Sequence, residues 1–269
     1  MAAPYAIPAV SSCRILHAGG TMGRFEGKVA LVTGGGTGIG RATTLMLAAE
    51  GAAVAVSYSR SRDDAERTAA DARAHGVRAM ACQADVVDDA AVTGMVDSVV
   101  DELGGLDFLI NSAGATRPVP LADLDGITPE DFQRIFAINA YGVFWCCRAA
   151  IRHMRRAGAG HIVTVASLAG FNGQGSSLVY GSSKAAAIAL TKGLAASHAP
   201  DIQVNAVAPG LVETRWIDDF SPETIQAIAG QIPMGRIAQP QDVADAIFGL
   251  LISRYITGEV VLVSGGRTS

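Results

Sequence analysis

Tyr180-Gly181-Ser182-Ser183-Lys184 sets a phenol and an ammonium four residues apart. On a helix such positions share one face. A neighbouring positive charge favours phenolate and lowers the affinity of the phenol for its proton. Free tyrosine titrates near 10, so proton transfer near neutrality needs about 3–4 kcal/mol from the surroundings. An ammonium, a cationic ring and buried hydroxyls are groups that supply it. The chain has three lysines, Lys28, Lys184 and Lys192, and otherwise uses arginine, so a lysine at this spacing is informative. Taken alone, the same five residues also describe an ordinary exposed pair.

A second group of residues suits phosphate. Thr33-Gly34-Gly35-Gly36-Thr37-Gly38-Ile39-Gly40 follows the apolar run Val29–Val32 and opens a helical pattern. Glycines let a backbone approach a pyrophosphate, and a helix start offers free N–H groups and the positive end of a dipole. The spacing is Thr-Gly-x-x-x-Gly-x-Gly rather than Gly-x-Gly-x-x-Gly, and no lysine stands at the P-loop position, which argues against an ATPase. A purely structural glycine turn is the alternative.

The elements that must position these groups alternate. Continuous apolar runs at Val29–Val32, Val54–Tyr58, Val77–Cys82, Leu106–Asn111, His161–Val165, Val204–Val207 and Glu259–Val263 read as strands buried on both faces. Helical patterns lie between them at Gly38–Glu50, Asp63–His75 and Asp88–Leu103, and from Thr128 to about Arg156. Another runs from Val179 to His198, and two more open at Ser221-Pro222 and Gln239-Pro240. Gly51, Gly76 and Gly104-Gly105 stop the first three, and Thr128-Pro129 starts the fourth as cap and first residue. The alternation predicts an α/β fold, a doubly wound parallel sheet of about seven strands with helices on both faces. Ligands of such sheets bind beyond the carboxyl ends of the strands.

Composition narrows the class. Of 269 residues, 49% are hydrophobic and 17% charged, too apolar for a disordered chain. A net charge of −4 lacks the basic excess expected for nucleic acid or an anionic membrane. No apolar run approaches the roughly 20 residues of a spanning helix. Cys13, Cys82, Cys146 and Cys147 form neither a disulfide framework nor a zinc pattern, consistent with a reducing, cytoplasmic setting. Residues 1 to 23 carry Pro4, Pro8, Ser11, Ser12, Gly19 and Gly20 without periodicity. They are expected to be a flexible extension ahead of a single domain over residues 24–269.

Together these pieces resemble the short-chain dehydrogenase/reductase family. The resemblance rests on the glycine pattern, Asn111-Ser112-Ala113-Gly114 after the fourth strand, and Ser167 after the fifth. Tyr180-x-x-x-Lys184, Pro209-Gly210 and Ile256-Thr257-Gly258 complete it, over residues 26 to 266. It implies a Rossmann-type sheet and an oxidoreductase that moves a hydride between a nicotinamide coenzyme and a carbonyl or secondary alcohol. By that resemblance Tyr180 is the general acid/base, Lys184 lowers its pKa and holds the nicotinamide ribose, and Ser167 bonds the substrate oxygen. Asn139 would hold a water linking Lys184 to solvent. Gly34, Gly38, Ile39 and Gly40 would line the pyrophosphate, and Asp85-Val86 would meet the adenine. Asn111, Ala113 and Gly114 would flank the coenzyme. Pro209, Gly210 and Val212 count with the coenzyme contacts, and Thr214 would reach the carboxamide. Ser112 and Ser264 stand where the family often has Asn and Asp, outside the proton-transfer set.

An acid at the end of the second strand selects NAD(H) by binding the ribose hydroxyls and repelling a 2′-phosphate. Here Tyr58 holds that place, followed by Ser59 and Arg60, which suit a phosphate. NADP(H) is therefore favoured over NAD(H), unless Asp63 or Asp64 folds toward the site. The substrate pocket is expected from Ala115–Pro118, Leu168–Gln174 and Leu211–Phe220, with Leu168, Phe171, Leu211, Trp216, Ile217 and Phe220 as apolar lining. Arg117 and Arg215 are read as surface charges, with an anion contact as the alternative. An NAD(H)-linked dehydrogenase of a sugar, steroid or other secondary alcohol is the second functional reading. A non-enzymatic scaffold is a third, and it predicts a damaged catalytic set. The resemblance also implies a homotetramer or dimer. Its helices around 130–156 and 179–198 would pack on other copies through Ala185, Ala186, Ala189, Ala195 and Ala196, unless these alanines simply pack on the sheet. The basic run Arg152-His153-Met154-Arg155-Arg156 suits a helix C-terminus, with an acidic acyl-carrier protein as the alternative partner.

Overall fold

The computed structural model describes residues 23–268; the expected N-terminal extension, save Gly23, lies outside them. Seven parallel strands form one sheet in the order β3-β2-β1-β4-β5-β6-β7. They are β1 (Val29–Thr33), β2 (Ala53–Tyr58), β3 (Ala79–Gln83), β4 (Phe108–Asn111), β5 (Gly160–Val165), β6 (Ile202–Pro209) and β7 (Val260–Val263). The winding reverses between β1 and β4, so the crevice beyond their carboxyl ends is the switch point where ligands of such sheets bind.

Parallel strands are covered on both faces, and the alternation in β1 shows how. Val29 and Leu31 point into one core, while Ala30 and Val32 point into the other. The first core is closed by α3 (Asp89–Leu103), α5 (Gly142–Ala157) and the inner side of α7 (Leu178–His198). The second is closed by α1 (Gly38–Ala49) and α9 (Pro240–Ile252), with α2 (Arg62–Arg73) laid on β2 through Ala65 and Ala69. Every residue of β1, β2 and β4 is buried, which is why each reads as an unbroken apolar run.

The long helix expected from Thr128 to Arg156 is interrupted. It begins as α4 (Pro129–Phe136), capped by Thr128 and Asp131 bonding each other's backbones. It then widens into a π-turn over Ala137–Tyr141 before continuing as α5. Two short elements were not foreseen: α6 (Ala169–Asn172) and a 3₁₀ turn, Arg215–Ile217. Both lie in the loops beyond the strand ends. Of the alanines expected to face another copy, Ala195 belongs to this chain's own core, whereas Ala185, Ala189 and Ala196 are exposed. One further helix, α8 (Pro222–Ala229), follows the 3₁₀ turn and buries none of its side chains.

Candidate active site

A cleft of about 910 Å³ opens over the carboxyl ends of the strands, at the upper end of the usual 300–1,000 Å³ of small-molecule sites. Its floor is Gly34, Gly38 and Ile39 at the start of α1, then Ala113 and Gly114 after β4, and Ser167 after β5. One end is Ser59, Arg60, Ser61, Asp85 and Val86; the other is Leu168, Leu211, Trp216, Ile217 and Phe220. Tyr180, Lys184, Pro209, Gly210, Val212 and Thr214 also line it.

The glycine loop is held by contacts that exclude a side chain. Gly34 and Gly38 take φ of +63° and +51°, a region that L side chains seldom enter. A Cβ on Gly40 would run into the carbonyl oxygen of Gly34. Gly40 therefore seats α1 against the loop behind the cleft and does not line the cleft itself. Gly36 is equally tight, with a would-be Cβ 2.9 Å from Ala65 N at the start of α2. Thr33 secures the next loop, its Oγ1 accepting from the N–H groups of Ser112 and Ala113 at 3.1 Å.

Tyr180 and Lys184 sit near the N-terminus of α7, whose cap Ser177 accepts from the Tyr180 N–H. Both side chains are buried. The Ser167 hydroxyl stands beside the Tyr180 phenol, where it favours the phenolate. Lys184 Nζ donates to the Val165 carbonyl at 2.7 Å and lies 5.9 Å from the centre of the Tyr180 ring. In the ligand-free protein burial pushes the Tyr180 phenol up to about 12, with the Ser167 hydroxyl opposing it, and pushes Lys184 down to about 8. The pair is assembled, but the phenol still holds its proton tightly.

Asn139 lies in the π-turn and is fully buried. Its Nδ2 donates to the Ala115 carbonyl at 2.9 Å and to Ser183 Oγ at 3.0 Å, and its Oδ1 accepts from the Ala115 N–H at 2.9 Å. Those bonds tie the loop after β4 to α7, one residue from Lys184. A point beside Gly114, where its Cβ would be, is 3.6 Å from Asn139 Oδ1 and 3.7 Å from both Lys184 Nζ and Trp216 Cη2. Trp216 stands edge-on to Tyr180 with ring centres 5.8 Å apart.

Two expected contacts fall elsewhere. Asn111 is buried beneath the floor, where Nδ2 donates to Thr164 Oγ1 and Cys147 Sγ, each at 3.3 Å. It supports the sheet centre and does not reach the cleft. Phe171 is exposed outside the pocket. Arg117 is bound to Asp131, a surface role as expected. Asp64 does turn toward Arg215, which donates to both its oxygens at 2.7 and 3.0 Å. Neither Asp63 nor Asp64 lines the cleft, whereas Ser59 and Arg60 do. Burial pushes the Cys147 thiol up to about 12 and Cys146 higher still, so neither is a nucleophile. Among the described residues no cluster suits a metal ion, and no helix is long and apolar enough to cross a membrane.

Comparison with known proteins agrees with this geometry. A family model described as enoyl-(acyl carrier protein) reductase matches residues 34–268. The chain is 42% identical over 243 residues to a Streptomyces violaceoruber protein assigned as ketoacyl reductase 2 of the granaticin polyketide synthase, covering 90% of this chain and 96% of that one. It is 38% identical over 242 residues to the 3-oxoacyl-(acyl-carrier-protein) reductase of Staphylococcus aureus, covering 89% and 97%. The crystal structure of NAD⁺-bound xylitol dehydrogenase superposes with a TM-score of 0.84 at 35% identity, covering 90% of this chain and all of that one. The chain belongs to the short-chain dehydrogenase/reductase family. It is an NAD(P)-dependent oxidoreductase acting on CH–OH and C=O groups of small molecules.

Membership fits the donor set. The positive-φ glycines at the start of α1 and the Asp85, Ser59 and Arg60 side chains at one end suit the pyrophosphate and adenosine of a dinucleotide. Sequence reasoning missed several lining residues of this family member. Ala84, Leu121, Arg134, Ile138, Gln231 and Arg267 come from five separate segments. Only the fold brings them together, and no local pattern marks them.

Proposed function

We propose that the chain is an NADP(H)-linked carbonyl reductase whose substrates are apolar ketones or 3-oxoacyl thioesters. The observation that carries this reading is the convergence of Tyr180, Ser167 and Lys184 in one cleft, under a wall of Leu168, Leu211, Trp216, Ile217 and Phe220. A reduced nicotinamide, when bound, supplies the hydride.

The chain's own residues do the rest. Gly34, Gly38 and Ile39 hold the pyrophosphate, Asp85 and Val86 the adenine, and Ser59 and Arg60 a 2′-phosphate. Ala113, Gly114, Pro209, Gly210, Val212 and Thr214 flank the nicotinamide half. In the reducing direction Ser167 and Tyr180 both donate to the substrate oxygen, where negative charge develops. Tyr180 then releases its proton to that oxygen and is left as phenolate. The Lys184 ammonium stabilises the phenolate, and Asn139 orients the water from which the proton is replaced. The phenol is protonated in the ligand-free state, as this direction requires. The positive charge of an oxidised coenzyme would favour the reverse.

Support for NADP(H) comes from the second strand. At the end of β2 Ser59 and the exposed Arg60 line the cleft and Asp64 is engaged by Arg215, while the carboxylate that does line this end, Asp85, follows β3 and not β2. The ketoacyl substrate class is supported by the names of two relatives. Copies of the chain would associate as a dimer or tetramer through α4, α5 and α7, where Phe132, Tyr141, Phe144 and Leu178 are exposed. Titration of the purified protein with NADPH and NADH, followed by turnover of ketones, 3-oxoacyl thioesters and sugars with each, tests the reading. Tighter NADPH binding and preferential reduction of the ketones or thioesters are expected; tighter NADH binding with oxidation of polyols would overturn it.

A further inference from the structure

Asp64 is a carboxylate in an awkward place for an NADP(H) enzyme. It occupies the first turn of α2, three residues beyond the cleft-lining Ser61. Its backbone packs on the glycine loop, for a Cβ on Gly36 would be 3.1 Å from the Asp64 carbonyl carbon. The side chain is only 18% exposed. A carboxylate here stands close behind the ribose site, where an acid accepts bonds from ribose hydroxyls and repels a 2′-phosphate.

In this chain that charge is taken up from across the cleft. Arg215 lies 151 residues further on, in the 3₁₀ turn that lines the facing wall. Its Nη1 donates to Asp64 Oδ2 at 2.7 Å and its Nη2 to Oδ1 at 3.0 Å, so one planar fork occupies both oxygens. Arg67, on the same helix, stands 3.7 Å from Oδ1, too far for a hydrogen bond. Removing Arg215 would free two acceptors and a negative charge that Arg67 offsets only in part.

We propose that Arg215 sets the coenzyme preference from the far wall of the cleft, by neutralising Asp64 so that the adenosine end admits a 2′-phosphate. This rests on the NADP(H) reading above, deepens it, and makes Arg215 a positioning residue that acts through Asp64. The preference is then shared between the end of β2 and a loop that follows β6.

The test compares Kd for NADPH and NADH, by direct titration at low ionic strength, in the wild type, Arg215→Gln, Asp64→Asn and the double variant. Arg215→Gln is expected to shift the NADPH:NADH affinity ratio about three- to tenfold toward NADH, the size of a partly exposed charge effect. The double variant is expected to return the ratio to within about twofold of the wild type, and added salt to shrink the shift. Because the Arg215 side chain is 62% exposed, the variants are expected to fold, which thermal unfolding checks. Equal weakening of both coenzymes, as a merely structural strap would produce, overturns the proposal, as does a double variant that stays shifted. A wild type that prefers NADH would refute the NADP(H) reading by itself. The change of ratio on losing Arg215 would still report the action of Asp64.

Discussion

The two walls of the cleft are built from different material. The wall on β1 is backbone: Gly34 and Gly38 line it at φ values that side chains seldom adopt, and behind it Gly36 and Gly40 let α2 and the start of α1 approach until no Cβ fits. The facing wall, residues 211 to 220, is side chains, with Trp216 half exposed and Phe220 projecting. A backbone wall cannot change without moving the helices that lean on it. A side-chain wall can change residue by residue while the fold stands. We expect coenzyme binding to depend chiefly on the first wall and the choice of substrate on the second.

Tyr180 stands between the walls, so its loss separates chemistry from binding. Tyr180→Phe removes one hydroxyl and keeps the ring packed on Trp216. Turnover is expected to fall by about 10²–10⁴, the usual value of a positioned acid/base, while the Kd for coenzyme changes less than about twofold. Steady-state rates and coenzyme titration on one preparation check both halves. Residual turnover near the wild-type level would remove the phenol from the proton path.

A single methyl group tests the packing behind the backbone wall against a helix surface away from the cleft. Gly40→Ala puts a Cβ into the Gly34 carbonyl, a backbone atom that cannot rotate away. A loss of about 1–3 kcal/mol in unfolding free energy is expected, as for other overpacked sites, together with weaker coenzyme binding. Gly94→Ala, inside α3 with open space around it, should instead gain about 0.5–1 kcal/mol. Denaturant unfolding of the two variants decides this. Equal effects would mean that the close approach at Gly40 has no energetic consequence.

Burial of Lys184 makes a further demand on the floor between the walls. Its pKa falls from the ordinary 10.5 to about 8 because burial disfavours the ammonium. Between about pH 8 and 10.5 the unfolded chain therefore binds a proton that the folded chain does not. Stability of the ligand-free protein should rise with pH across that window, by up to about 1.4 kcal/mol per pH unit. The raised Tyr180 works in the opposite sense, but only above about pH 10, where the unfolded phenol begins to ionise. Lys184→Met should be more stable than the wild type at pH 7 by about 1–3 kcal/mol, less the lost bond to Val165, and the gap should close toward pH 10. Urea unfolding from pH 7 to 10 measures it; parallel curves for the two proteins would refute it.

Much of this was legible in the residues. Strands buried on both faces must be continuous apolar runs, so β1, β2 and β4 announced themselves, and the strand–glycine–helix order placed the loop. Tyr180, Lys184 and Ser167 were legible because each follows a strand end or shares a helix face. The π-turn was not, because its centre is tied by Asn139 to Ala115 and Ser183, 24 and 44 residues away. Nor was the distinction between Gly34, which lines the cleft, and Gly40, which holds α1 against it. The raised proton affinity of Tyr180 depends on burial, which no local spacing encodes. Arg215 and Asp64 each look like a helix-end charge, and their pairing exists only once β6 and β2 share a sheet.

The smallest expected effect falls on the side-chain wall. Trp216 sits on a 3₁₀ turn whose preceding residue, Thr214, accepts from its N–H at 3.4 Å, and its ring meets Tyr180 edge-on. The indole tip comes near Gly114 and Lys184, so it borders the space where a carbonyl must lie to reach the phenol. Trp216→Ala leaves α7, the glycine loop and the Lys184 bond untouched. Stability should fall by about 0.5–1.5 kcal/mol, the value of the lost edge-on pair with Tyr180. Discrimination should change as well. An aromatic pair is worth about 0.5–1.5 kcal/mol beyond the area it buries, so kcat/KM for a bulky apolar ketone should fall about two- to tenfold relative to a small one. The coenzyme Kd should hold. If the variant loses coenzyme affinity while keeping its ranking of ketones, Trp216 belongs with the backbone wall, and the division between the two walls has been drawn in the wrong place.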